Sequence, residues 1–211
     1  AISAKGGTNA ENHNHNDVGS YAVALGSETM VGDQGGPNSY PGDYFNGDAP
    51  QKYKIKGSFG HPVPVVDGRT QSSGGKAKGV VLQKEFTNEK DVFSIDYTSA
   101  YSTPNLDKLI RTFVYDRQGK GSFTVGDEFT AKTPIRFETA ITTRADWKIL
   151  DDTHLLLATD SEQMIVAIDA SGKVAFTSET IEVNSPAYTR IGIALKNQSK
   201  EGYIRLKMYT K

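Results

Sequence analysis

"LIRTFVYDRQGKGSFTVGDEF", residues 109–129, decides the fold class. Two runs, 109–116 and 121–129, alternate in polarity and are rich in β-branched and aromatic side chains. Successive side chains of a strand point to opposite faces, so this period of two marks strands. Between them Gln118-Gly119-Lys120-Gly121 supplies a turn.

The same pattern continues in both directions. Upstream, residues 20–26 and 28–33 read as the arms of a hairpin turning at Gly26-Ser27, followed by runs at 77–86 and 92–101. Downstream, 135–143, 154–160, 163–171, 173–183, 189–196 and 202–210 alternate likewise. About a dozen short strands without a long helical pattern predict an all-β chain, a large antiparallel β-sandwich. No repeat or linker divides it, so residues 1–211 are expected to form one domain. The segment 34–60 breaks the pattern. It is rich in Gly, Pro, Asn and Tyr and too long for an ordinary hairpin connection, and loops of that length usually carry function.

Composition narrows the function classes. Lys and Arg total 24 against 25 Asp and Glu, for a net charge of −1 with both signs interspersed, so there is no basic field for nucleic acid. No apolar run approaches the roughly 18 residues of a membrane span. With no cysteine there is neither a disulfide framework nor thiolate chemistry. The opening "AISAKGGTNAEN" is not a signal peptide, which suits a mature form or a piece of a longer chain.

The chain has four histidines, two of them in "ENHNHNDVGSY", residues 11–21. If 13–25 is extended, His13 and His15 share a face with Asp17, Gly19 and Tyr21. A hairpin at Gly26-Ser27 then brings Asp33 opposite about residue 20, near the mouth of the same ribbon. A third histidine, His61, lies in "GSFGHPVPVVDG". Two imidazoles and a carboxylate with one open position suit zinc or a related divalent ion. The alternative is a polar turn in which Asn and His side chains cap local backbone groups. His154 reads as a strand-end residue and Trp147 as part of the core or its rim.

Taken in order, "NHNHNDVGSYAV", "MVGDQGG", "NSYPGDYF", "GSFGHPVPVVDG" and "KLIRTFVYDRQGKGSFTVGDEF" resemble the C-terminal part of the heparinase II/III-like polysaccharide lyases. The likeness runs from the first residues to about residue 130 and is general β-sandwich character beyond. It implies cleavage of uronic-acid-containing polysaccharide by β-elimination, with a base removing the proton α to the carboxylate and an acid protonating the departing oxygen. It also implies that His13 is the active-site histidine, that His15, Asp33 and His61 hold a zinc ion, and that Asn12, Tyr40 and Tyr44 face substrate. We expect the zinc to organise the site rather than polarise the substrate.

Such lyases place an N-terminal (α/α) toroid before the sandwich, and the toroid supplies the catalytic tyrosine and the groups that neutralise the uronate. The resemblance therefore implies that 11–67 is one wall of a cleft, that 77–211 are further sandwich strands, and that the toroid is a partner in the same parent chain. It implies a periplasmic or secreted bacterial protein acting on an acidic polysaccharide, with no nucleic acid or membrane partner. Alone, the chain is expected to bind metal without cleaving polysaccharide. Two rivals are a non-catalytic carbohydrate-binding sandwich, for which His13 would be superfluous, and a cupin-type barrel, which would need a glutamate-bearing ligand set and a second His-x-His.

Overall fold

A computed structural model describes residues 1–33, 35–182 and 186–211. In chain order the strands are β1 (Ile2–Ala4), β2 (Thr8–Asn9), β3 (Tyr21–Leu25), β4 (Glu28–Val31), β5 (Val65–Val66), β6 (Gly74–Lys78), β7 (Val80–Phe86), β8 (Lys90–Asp96) and β9 (Leu106–Asp116). They continue with β10 (Ser122–Ile135), β11 (Phe137–Thr143), β12 (Asp146–Asp151), β13 (His154–Ala158), β14 (Gln163–Ala170), β15 (Val174–Ile181), β16 (Tyr188–Leu195) and β17 (Ser199–Thr210). The only α-helix among the described residues is the single turn α1 (Ala49–Lys52), and 3-10 turns occupy Ser58–Gly60 and Thr98–Ala100. None of these is long and apolar enough to cross a membrane.

The strands pair antiparallel into an eight-stranded sheet, in the order β12-β13-β14-β17-β10-β9-β8-β7, and a four-stranded sheet, β15-β16-β11-β5. Two small sheets, β1-β3-β4 and β2-β6, complete the set. The all-β sandwich reading is borne out. The stretch 109–129 forms β9 and β10, which pair from Asp116↔Ser122 back to Leu106↔Ala131. Their buried faces carry Leu109, Phe113, Phe123, Val125 and Phe129. Facing them from the smaller sheet are Phe137, Ile141, Ile191 and Ile193, all in the same core cluster. Phe129 stacks on Phe137 at 4.6 Å between centroids. Trp147 packs against this cluster from its rim, as expected.

The hairpin at Gly26-Ser27 is present, with Leu25 paired to Glu28. Gly26 has φ +50°, the left-handed conformation that a two-residue hairpin turn demands. A bulge shifts the register so that Val31 faces Val23. The expected run 77–86 is two strands, because Gly79 leaves the sheet to donate its N–H to the carbonyl of Gly7, 2.9 Å away. β12 escaped the sequence reading, and its residues are mostly exposed. The expected strand 173–183 is β15, with its last position, Val183, outside the described residues.

One correction bears directly on the site. Residues 13–20 are not extended; they are a succession of turns, and regular strand begins only at Tyr21. Asn14 N–H closes a turn on Glu11 at 3.2 Å, and His13 adopts φ +59°. His13 and His15 therefore do not share a strand face.

Candidate metal centre and adjoining groove

Three loops bring His15, Asp33 and His61 together, each tied to the sandwich by its own contacts. The first is held at Gly19, whose carbonyl accepts from Arg111 Nη1 at 2.7 Å, and at Asn16, whose N–H donates to Lys56 O at 3.0 Å. The second follows β4, where Thr142 Oγ1 donates to Gly32 O and Thr143 Oγ1 to Met30 O, both at 2.6 Å. In the third, the carbonyl of Pro62 accepts from the same Arg111 Nη1 at 2.7 Å. Tyr188 adds a hydrogen bond to Gly60 O at 2.8 Å. Gly60 is required here, since a Cβ would fall 2.2 Å from the carbonyl oxygen of Lys54.

Arg111 is the hub of this arrangement. It is fully buried on β9 and clamps Asp127 of β10 through Nε and Nη2, each at 2.7 Å. Tyr97 and Thr139 donate to the same carboxylate at 2.6 and 2.7 Å. One guanidinium thus binds the loops carrying His15 and His61 to the sandwich core. Bidentate arginine–carboxylate geometry makes that link stiff as well as strong.

Ligand atoms of His15, Asp33 and His61 lie within 4.8 Å of one another. His61 is completely buried. Its Nε2 lies 3.0 Å from the carbonyl of Ile55, which can only accept, so the proton sits on Nε2. In the neutral ring Nδ1 then carries a lone pair, and this buried atom has no hydrogen-bond partner. It faces Asp33 Oδ2 at 3.7 Å, too far for a hydrogen bond. Asp33 Oδ1 accepts from Gly35 N–H at 2.9 Å. The His15 ring centroid lies 5.1 Å from that of His61.

Burial, then the neighbouring His61, lower the pKa of His15 to about 4, against the opposing pull of Asp33 and Asp17. His15 is therefore neutral near pH 7, the state a metal requires. Its Nε2 shares a hydrogen bond with the hydroxyl of Tyr44 at 3.3 Å. Burial, helped by Tyr40 and Asp33, pushes the Tyr44 phenol up to about 12. The donor set fits a divalent cation. Two imidazoles and one carboxylate converge, one imidazole is oriented by a backbone carbonyl, and its buried Nδ1 has no hydrogen-bond partner.

His13 and Asn12 lie outside this triad and are exposed. The His13 ring rests 4.7 Å from that of Phe45. With Asn12, Asn46 and Lys56 they line an open groove of about 490 Å³. Tyr40 is 54% exposed and sits beside Phe45 at 5.2 Å, whereas Tyr44 is 1% exposed and its ring has no free face. His154, the fourth histidine, contacts Asp151 at 3.0 Å at the far edge of the large sheet and takes no part. Arg111 and Lys56 escaped the sequence reading as site residues. Arg111 lies within an ordinary strand pattern, and Lys56 is one of several lysines in a mixed-charge loop.

No protein-family model and no curated protein matches the chain. Solved structures do. The crystal structure of heparan sulfate lyase HepC from Pedobacter heparinus is similar over 100% of this chain and 33% of its own, with TM-score 0.78 and 13% identity. A crystal structure of heparinase III is similar over 94% of this chain and 30% of its own, with TM-score 0.72 and 18% identity. A second heparinase III, the BT4657 gene product, is similar over 100% of this chain and 32% of its own, with TM-score 0.73 and 13% identity. The chain spans about a third of the length of these structures. In fold it is similar to a sandwich-sized part of the heparinase III lyases, as the sequence resemblance implied.

Proposed function

We propose that this chain is the metal-holding sandwich wall of a polysaccharide lyase that cleaves uronic-acid-containing chains by β-elimination. The observation that carries this reading is the buried, unpartnered Nδ1 of His61, in a residue whose ligand atoms lie within 4.8 Å of those of Asp33 and His15. A protein interior leaves such an atom unsatisfied only at a cost of about 1–3 kcal/mol, so its orientation calls for a ligand. Zinc is the ion that suits this donor set best. His15, Asp33 and His61 would hold it, and its charge would tie the Asp33 loop to the two loops that Arg111 already joins.

His13 is then free for proton transfer. An exposed imidazole in a groove can take or return a proton near neutral pH. Asn12 beside it offers an amide to a sugar, and Tyr40 a ring on the rim. Tyr44 would act through His15, which its hydroxyl meets, rather than by stacking. A toroid elsewhere in the parent chain would supply the opposing wall, so the chain alone would not cleave. Secretion or a periplasmic location follows from the same reading, since extended acidic polysaccharide lies outside the cytoplasm.

Metal content of the untagged chain, dialysed against metal-free buffer and then against zinc, tests the reading. One bound zinc is expected, lost on His15→Ala, Asp33→Ala or His61→Ala and kept on His13→Ala. A folded chain that takes up no zinc would sink it. In the parent enzyme, His13→Ala should abolish formation of unsaturated uronate while metal content stays unchanged. A parent variant that keeps its rate would remove His13 from the chemistry.

A further inference from the structure

Val18 follows His15 in the same succession of turns and is fully buried. Its backbone has no strand neighbour there, and a side chain takes that place. Gln71 Nε2 donates to the Val18 carbonyl at 2.7 Å, and Gln71 Oε1 accepts from the Val18 N–H at 3.1 Å. One residue of an antiparallel strand gives the residue opposite it the same pair of bonds. The remaining valences of the amide are used as well. Oε1 also accepts from Asn9 Nδ2 at 2.9 Å, and the second amide proton reaches the Tyr101 hydroxyl at 3.5 Å. A primary amide offers two protons and two lone pairs, so this one is held in a single orientation.

The backbone of Gln71 holds the other arm. Its N–H donates to Ser58 Oγ at 2.8 Å, and the carbonyl of Ser58 accepts from His61 N–H at 3.1 Å. On the His15 side, Asn9 Oδ1 accepts from Asp17 N–H at 3.1 Å, and Asn16 Nδ2 donates to the Gln71 carbonyl at 3.4 Å. Asn9, Ser58 and Gln71 are all buried. Neutral hydrogen bonds from one residue thus reach both histidine loops. Arg111 joins the same two loops, but it also neutralises Asp127, so its loss mixes fold with site. Gln71 carries no charge, and none of these bonds goes to a candidate ligand side chain.

We infer that Gln71 is a positioning residue of the metal centre: its amide and its N–H set the separation of His15 and His61. The inference rests on the metal-holding reading for what the two imidazoles do, and adds the residue that presets their spacing. Gln71 acts through Val18 and Ser58 and touches neither metal nor substrate. When such a support is lost, the ion has to draw the loops together itself, and both affinity and coordination geometry suffer. A residue that only satisfied buried backbone groups would change stability and leave the coordination as it was.

Cobalt(II) titrated into the untagged, metal-free chain tests this, because its visible absorption is strong in four-coordinate sites and weak in six-coordinate ones. The native chain should take up one cobalt with the strong spectrum. Gln71→Met removes the bonds of the amide and should bind cobalt about tenfold more weakly, with a weaker band. Gln71→Glu keeps the acceptor for Val18 N–H and Asn9 but loses the donor to the Val18 carbonyl, and should fall between the two. Val125→Ala, in the core on β10, controls for stability. It should lower the midpoint of thermal unfolding yet keep the native affinity and spectrum. Native affinity and spectrum in folded Gln71→Met would overturn the inference, as would an equal loss of both in Val125→Ala. If Gln71→Met does not fold, Gln71→Glu and Asn9→Ala carry the test, and native behaviour in both overturns it equally. A native chain that takes up no cobalt removes the metal-holding reading itself. One that takes it up but is indifferent to residue 71 loses this inference alone.

Discussion

Two buried polar clusters lie on either side of Gly19, and they differ in one respect. At the Arg111–Asp127 pair itself the valences are met, although the Tyr21 hydroxyl beside it has no partner. The guanidinium meets Asp127, two carbonyls and Thr139, and the carboxylate also accepts from Tyr97. Around His61 one valence is left open, with Nδ1 unpartnered and Asp33 42% exposed on the opposite side. A closed cluster holds a fold together, whereas an open one waits for a ligand.

The closed cluster should give the largest effect when broken. Arg111→Met leaves Asp127 buried without its cation, which costs about 3–5 kcal/mol. For a domain of this size that lowers the midpoint of thermal unfolding by roughly ten degrees. Because Arg111 also holds the carbonyls of Gly19 and Pro62, zinc affinity should fall in the same variant. Thermal unfolding followed by circular dichroism, with and without zinc, reads both effects. A stable Arg111→Met chain with full zinc affinity would show that the hub does not position the metal loops.

Zinc should stabilise through the open cluster alone. At a hundredfold excess over its dissociation constant, a ligand specific to the folded state adds about 2.7 kcal/mol. The native chain should gain that increment and His61→Ala should not. If both gain it, the ion binds elsewhere.

Acid should act on the same cluster in the metal-free chain. His15 has a folded pKa of about 4, below its unfolded value of 6.5. The unfolded state therefore binds the extra proton first, and stability falls as pH drops from about 6.5 towards 4. The stabilisation is fully present above that window. The loss attributable to His15 should be about 3 kcal/mol. Urea unfolding at a series of pH values, comparing native with His15→Asn, isolates it. Parallel curves for the two proteins would place the titrating group elsewhere.

The sequence displayed these clusters unequally. Local pattern was enough for the β9–β10 pair and for the hairpin at Gly26-Ser27, because alternation and turn residues act over a few positions. The candidate ligands were nameable by type and resemblance, and the loops do bring them together. The local geometry was not legible. Asn and His occur in strands and turns alike, and contacts from residues far along the chain, Lys56, Gln71 and Arg111 among them, help to fix residues 13–20 as turns. The hub itself was invisible for the same reason. Arg111 at an inward position of β9 looks like an exposed strand residue until Gly19, 92 positions earlier, is found beside it.

His13 offers the smallest effect and the finest test of the comparison. Its φ of +59° is unusual for a residue with a Cβ, and it is one of only two such non-glycine positions among the described residues, with Asp67. Holding a side chain there costs of order 1 kcal/mol, part of which glycine recovers at the expense of its own greater chain entropy. His13→Gly should therefore raise stability by about 0.5 kcal/mol and leave zinc binding intact. Strain retained at a position that supports neither core nor metal is expected where the side chain itself is needed. If His13→Gly is less stable, the ring's contact with Phe45 outweighs the backbone strain. His13 would then belong with the closed, structural cluster rather than the open one.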